Sequence, residues 1–184
     1  MLADANAALR VSVVPSSLTT PDRRLPPEYP PVPARVSDRV SVSGVKWWLD
    51  GSPFERSCAI RRPYADDLGT SGRVNFSPDE IWPILTEAGR RNTPVLLHIA
   101  GDRTTETLLR AMEATRGADT WPQRRLRIEL GDSLLPDLAS RARPLGAIAV
   151  QNPTHFQTGD VLIQRFGADR AAVNSPLRSL VAAA

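Results

Sequence analysis

Gly44-Val45-Lys46-Trp47-Trp48-Leu49-Asp50-Gly51-Ser52 carries a short apolar run of strand-like length into a polar turn that contains glycine. A second stretch, Pro94-Val95-Leu96-Leu97-His98-Ile99-Ala100-Gly101-Asp102, is built the same way. Each holds one residue that a strand does not call for. In the first it is Lys46, whose charged amine is costly to bury in an apolar run. In the second it is His98, which stands just before the glycine turn. The two together predict a parallel sheet at one end of which Lys46 and His98 hold a metal ion.

On the N-terminal side, Ala3 to Leu9 reads as the end of a helix and Leu9 to Val14 as a short β-branched strand stopped by Pro15. Residues 20–33 include Pro21, Pro26, Pro27, Pro30, Pro31 and Pro33, too many for a helix or a central strand, and read as a loop. Val40 to Leu49 reads as one strand. Residues 51–76 then form a long loop rich in Arg, Pro, Gly and Asp, and a loop of that length inside a compact domain points to function.

Ser77-Pro78-Asp79-Glu80 is a helix start in which Ser77 caps, Pro78 takes the first helical position and Glu80 completes a capping box. Ile81, Leu85 and Ala88 follow on one face, with Pro83 expected to kink the helix. Thr93 to His98 is the next strand, and Asp102 is expected to cap a helix that runs through Leu108, Leu109 and Met112 to Gly117. Leu126 to Leu130 and Gly146 to Val150 read as strands around a helix from about Leu134 to Arg143. Val161 to Phe166 and Arg170 to Ala184 are helical in propensity, with Pro176 as a break. The alternation of strand and helix indicates an α/β fold with a parallel sheet. Polar residues gather where the strands end, which is where such folds place their sites.

Composition narrows the possibilities. With 184 residues, 41% hydrophobic and 23% charged, the chain is one soluble domain's worth. No run approaches the roughly eighteen apolar residues of a membrane span, and Met1 to Arg10 lacks the basic start and apolar centre of a signal peptide, so a cytoplasmic protein is expected. Cys58 is the single cysteine and allows no internal disulfide. The net charge of +3 rests on arginines with acidic residues interleaved, the make-up of a solvated surface, so no nucleic-acid partner is expected.

Five segments in order carry a resemblance: Gly44-Val45-Lys46 with Asp50-Gly51-Ser52, then Pro63-Tyr64-Ala65-Asp66-Asp67, His98-Ile99-Ala100-Gly101-Asp102-Arg103, Arg127-Ile128-Glu129 and Gln151-Asn152-Pro153-Thr154-His155. They resemble the amidohydrolase superfamily, in the branch called amidohydrolase family three, which includes N-substituted formamide deformylases. The resemblance runs from about Leu9 to the C-terminus. It implies a TIM-type (β/α)8 barrel, of which residues 1–184 would be a single partial domain holding about strands three to seven with their helices. A whole barrel takes about 250 residues, so the chain reads as an internal piece of such an enzyme or a shortened relative.

The resemblance also implies a metal-dependent hydrolase of carbon-nitrogen bonds other than peptide bonds, acting on a small-molecule amide such as an N-substituted formamide. In it Lys46 is a carboxylated lysine that ligates a divalent, zinc-type ion, and His98 is a second ligand. The chemistry is coherent. Burial favours the neutral form of an amine, which can react with carbon dioxide to give a carbamate, a hard oxygen ligand. Zinc lowers the pKa of a bound water and polarises a carbonyl. Leu130 stands where the family has a further metal-binding histidine, and the family's His-x-His pair and catalytic aspartate have no counterpart in this sequence. A second reading is therefore a catalytically silent barrel fragment. A third, a basic interaction module, rests on charge alone.

Other residues have two readings each. Lys46 either ligates metal or pairs with Asp50 at the strand end, and His98 either ligates metal or is a satisfied core histidine. Asp50 and Ser52 either contact substrate or shape the turn after the strand. Asp102 reads as a helix cap in preference to a catalytic acid. His155, in the loop after the last strand, either contacts substrate or faces solvent. Cys58 reads as an inert thiol. The outer strands of an incomplete barrel leave backbone groups unpaired, so self-association through the sheet edges is expected.

Overall fold

The computed structural model describes residues 9–16, 37–91, 94–115 and 120–183. The helix end at 3–8, the proline-rich loop 20–33 and the expected helix stop at Gly117 lie outside them. Among the described residues there are two parallel sheets. β1 (Val11–Val13) pairs with β2 (Val40–Val42), and a four-stranded sheet runs in the order β3 (Val45–Trp48), β4 (Val95–Ile99), β5 (Arg127–Leu130), β6 (Ile148–Val150).

The expected single strand from Val40 to Leu49 is two strands. Gly44 divides them at φ 124°, and a Cβ there would stand 2.7 Å from the Pro94 carbonyl, so only glycine lets the chain change sheets at this point. β2 is thereby left to β1, and β3 pairs with β4.

Helices connect the strands of the larger sheet. α1 (Pro78–Arg91) begins as its sequence dictates, with Ser77 N donating to Glu80 Oε2 at 2.8 Å, and it continues through Pro83. α2 (Asp102–Ala114) and the single turn α3 (Trp121–Arg124) lead to β5, and α4 (Pro136–Ala142) leads to β6. A 3-10 helix (Pro153–Thr158) follows, then α5 (Gly159–Phe166), α6 (Ala168–Ala172) and α7 (Leu177–Ala183). Pro176 marks the break before α7 as its sequence requires.

One face of the sheet is dry. Trp47, Leu97 and Ile128 join Ile84 and Leu85 of α1, Leu108 and Met112 of α2 and Leu138 of α4 in one core. Burying side chains of this size is worth about 1.5 to 3 kcal/mol each, and this packing fixes which way the strands present their residues. The register sets Lys46 beside Leu96, Trp48 beside His98 and His98 beside Glu129, so these five residues share the other face.

The long loop has a core of its own. Cys58, Ile60 and Tyr64 pack with Ala100 at the end of β4 and with Leu162 and Phe166 of α5. Arg56 and Arg165 both reach Asp66, tying the loop to α5. The loop is thus held over the edge where β3 and β4 end. Among the described residues no helix is long and apolar enough to cross a membrane.

Candidate functional site

Because the four strands run parallel, Asp50, Gly101, Asp132 and Asn152 all follow strand ends at one rim. His98 is buried there, 4% exposed, with Nε2 3.2 Å from the Gly51 carbonyl. A carbonyl only accepts, so Nε2 carries the proton and Nδ1 holds the lone pair. Burial lowers this imidazole to about 4, the Lys46 and His155 charges add to that, and the Gly51 carbonyl opposes it. His98 is therefore neutral at physiological pH, the state a metal ligand needs.

Lys46 shares the face with His98, and the link between them is Trp48. The indole stacks on His98 with ring centres 4.0 Å apart, and Lys46 Nζ lies 5.0 Å from the centre of the same indole. Lys46 thus makes a cation-π contact with Trp48, and Asp50, its expected partner, is engaged elsewhere. Among the described residues no group of three or more His, Cys, Asp and Glu is placed to hold a metal ion. The donor chemistry on this face is one neutral imidazole, one amine and the Glu129 carboxylate, which pairs with Arg127 at 2.8 Å.

Asp50 is 1% exposed and its oxygens face backbone amides: Oδ1 accepts from Ala100 N at 2.9 Å, and Oδ2 from Gly101 N at 2.9 Å and Ala59 N at 3.3 Å. Burial pushes the carboxyl up to about 7 against the pull of those donors. Of its two readings, this placement is that of a clamp joining the ends of β3 and β4 to the long loop. Ser52 also shapes the turn: its amide donates to Ser57 Oγ at 3.0 Å, and its hydroxyl accepts from Phe54 N at 3.2 Å and donates to Glu55.

The expected cap at Asp102 is displaced by one residue. Gly101 is the N-cap and Asp102 lies in the first turn of α2, where Oδ1 accepts from Arg61 N at 2.9 Å and Arg103 N at 2.8 Å. The reason is the close approach of the long loop: a Cβ at position 101 would stand 1.9 Å from the Ala59 carbonyl, so glycine takes the cap position. Asp102 still complements the positive end of the helix.

His155 is held in the 3-10 helix beyond β6, and its partner Asp132 escaped sequence reasoning. Nδ1 lies 2.9 Å from Asp132 Oδ2, and Nε2 lies 3.1 Å from Asn152 Nδ2. Asp132 is 2% exposed; burial pushes its carboxyl above the ordinary value and His155 pulls it back. The available signal was position, since Asp132 sits in the polar turn after β5 as Asp50 does after β3. Leu130, at the end of β5, adopts φ 74°, a left-handed conformation unusual for leucine. Cys58 is buried, with Sγ 3.0 Å from the Tyr64 hydroxyl and burial raising its thiol, as an inert role requires.

A parallel α/β sheet whose polar residues converge at the strand ends defines a class of proteins that build their sites from loops beyond those ends. The chain belongs to the amidohydrolase family, whose profile matches residues 2–184. It is 27% identical over 143 residues to Protein LONG AFTER FAR-RED 3 of Arabidopsis thaliana, covering 77% of this chain and 24% of that protein. It is 25% identical over 144 residues to the putative amidohydrolase YtcJ of Bacillus subtilis (strain 168), covering 77% and 26%. The crystal structure of an uncharacterized metal-dependent hydrolase from Pyrococcus furiosus superposes with a TM-score of 0.69 at 26% identity, covering 79% of this chain and 30% of that one. The chain thus spans about a quarter of the length of these curated relatives.

Proposed function

We propose that the four-stranded sheet is an arc of a (β/α)8 barrel whose inward face carries Lys46, Trp48, His98 and Glu129, and that the protein is a metal-dependent hydrolase of non-peptide carbon-nitrogen bonds. The substrate class is a small amide such as an N-substituted formamide. The observation that carries the reading is His98: a neutral imidazole with its Nδ1 lone pair free of the Gly51 bond, on the same face as Lys46. The family match and the likeness to a metal-dependent hydrolase support it.

His98 Nδ1 and a carboxylated Lys46 side chain would supply a divalent ion, zinc by ligand type, with two of the three protein ligands that a catalytic zinc takes. When bound, such an ion lowers the pKa of a water and polarises the amide carbonyl. The chain's own residues set the stage for it. The Gly51 carbonyl fixes the His98 tautomer, the Trp48 ring fixes its plane, and the Asp50 clamp holds together the strand ends that carry both ligands.

Metal analysis tests the reading. Protein reconstituted with zinc and bicarbonate should retain about one equivalent, and His98→Ala and Lys46→Ala should each lose it. Metal-free protein whose melting temperature is the same in both variants would sink the proposal.

A further inference from the structure

His155 has no task in the metal reading, yet its imidazole is fixed on several sides. The Asn152 amide is oriented independently, because its Oδ1 accepts from Thr154 N at 3.2 Å and Thr154 Oγ1 at 2.7 Å. Asn152 Nδ2 is then the group 3.1 Å from His155 Nε2, and it donates. A ring nitrogen that accepts carries no proton. Nε2 is therefore bare, and Nδ1 donates its proton to Asp132 Oδ2 at 2.9 Å. Phe54 meets the ring edge-on with centres 5.8 Å apart. The side chain keeps 16% of its exposure and borders a cavity of about 220 Å³ whose other walls include Leu162, Ile163, Ala168 and Ala171.

A buried carboxylate that fixes the Nδ1–H tautomer and leaves Nε2 as an acceptor, here of the Asn152 amide, is the arrangement that makes an imidazole a general base once that amide moves aside. We propose that His155 is the proton-transfer residue of this rim, that Asp132 is its positioning residue, and that the adjoining apolar cavity receives the hydrocarbon substituent of the substrate. The assignment rests on the hydrolase reading. A water oxygen bonds to the amide carbon while its proton passes to Nε2. As the carbon-nitrogen bond breaks, that proton passes to the departing nitrogen, giving a carboxylic acid and an amine and returning His155 to its starting state. Asn152 must rotate off Nε2 for the water to reach it.

The chain contains only two histidines, so both can be followed individually. Nitrogen-15 spectra of the full chain labelled at histidine should show His155 as the Nδ1–H tautomer. Diethyl pyrocarbonate should modify His155 ahead of the buried His98. Asp132→Asn should slow that modification about tenfold or more by upsetting the tautomer, and Asn152→Ala, which frees Nε2, should speed it. A His155 that stays inert both in the native chain and in Asn152→Ala, or that shows the Nε2–H tautomer, is a structural pin and overturns the proposal. With zinc-loaded protein and N-alkyl formamides, His155→Gln should lower kcat about a hundredfold or more while KM changes little; unchanged kcat also overturns it. A reactive His155 in protein that hydrolyses none of these amides defeats the hydrolase reading and leaves the basicity of the pair supported.

Discussion

The Trp48 indole lies on the His98 imidazole, ring centres 4.0 Å and planes 28° apart. The register explains the contact, since the two residues are direct neighbours on β3 and β4. Trp48 is itself anchored by donation from Nε1 to Ser16 Oγ at 3.0 Å. One aromatic ring thus shields His98 from water and carries the Lys46 amine on the same face.

Removing that shield should raise the His98 pKa. In Trp48→Ala the titration midpoint should move from about 4 toward the ordinary 6.5, because burial is the largest cause of the depression. Histidine chemical shifts followed against pH measure it. An unmoved midpoint would show that other groups bury the ring.

Asp50 and His98 give stability opposite slopes with pH. The His98 pKa is depressed from 6.5 to about 4, so the unfolded chain binds more protons in that window and stability from this group is lost as pH falls through it. The Asp50 pKa is raised from 3.8 to about 7, so the folded chain binds more protons and stability from this group is lost as pH rises through that window. The contributions of these two groups should therefore largely cancel from about pH 4 to 6.5. His98→Gln should leave a stability that declines as pH rises toward 7, and Asp50→Asn one that climbs from pH 4 to 6.5. Denaturant midpoints at several pH values read both slopes, and matching slopes in the two variants would refute the assignment.

Gly101→Ala should destabilise the protein by about 2 kcal/mol or more. The added Cβ would stand 1.9 Å from the Ala59 carbonyl, which already accepts from Arg103 N at 3.1 Å, and Ala59 is wholly buried. Relief requires the loop to lift, which also stretches the Asp50 clamp on Ala59 N, Ala100 N and Gly101 N. A melting temperature equal to that of the native chain would mean the loop yields freely.

Local signals were legible in the sequence, and long-range ones were not. The start of α1 at Ser77 and Pro78, the strand at Val95 and the polar strand ends follow from residue type and spacing alone. The division of Val40 to Leu49 turned on Gly44 meeting the Pro94 carbonyl, a contact between residues fifty positions apart in the chain. The pairing of Asp132 with His155 is of the same kind: each residue reads as a turn or loop group, and only the sheet brings them to 2.9 Å. Trp48 read as one more apolar residue because a strand pattern does not say which neighbour a ring will cover.

Leu130→His should strengthen zinc binding about tenfold or more without loss of stability. Leu130 pairs with Ile99 at the end of β5, one residue beyond Glu129, which faces His98. Its φ of 74° costs a leucine about 1 to 2 kcal/mol, and histidine enters this region more readily. The backbone is therefore already shaped for the side chain that the family resemblance places there. Competition with a chromogenic chelator measures the affinity, and equal affinity in native and variant chains would show that position 130 does not reach the ion.

The outer side of β6 should drive self-association, and a single proline should abolish it. Among the described residues β6 pairs only with β5. Ile148 N donates to the Leu126 carbonyl at 2.8 Å, so by strand alternation the Ala149 amide points to the unpaired side. An edge of this kind is a template for another strand. Ala149→Pro removes the outward donor while sparing the ladder to β5, and Ile148 before it already has the extended conformation that precedes proline. Sedimentation velocity should show the native chain as a dimer or larger and Ala149→Pro as a monomer with a similar melting temperature. A native chain that sediments as a monomer at all concentrations would mean that some other part of the molecule covers the edge.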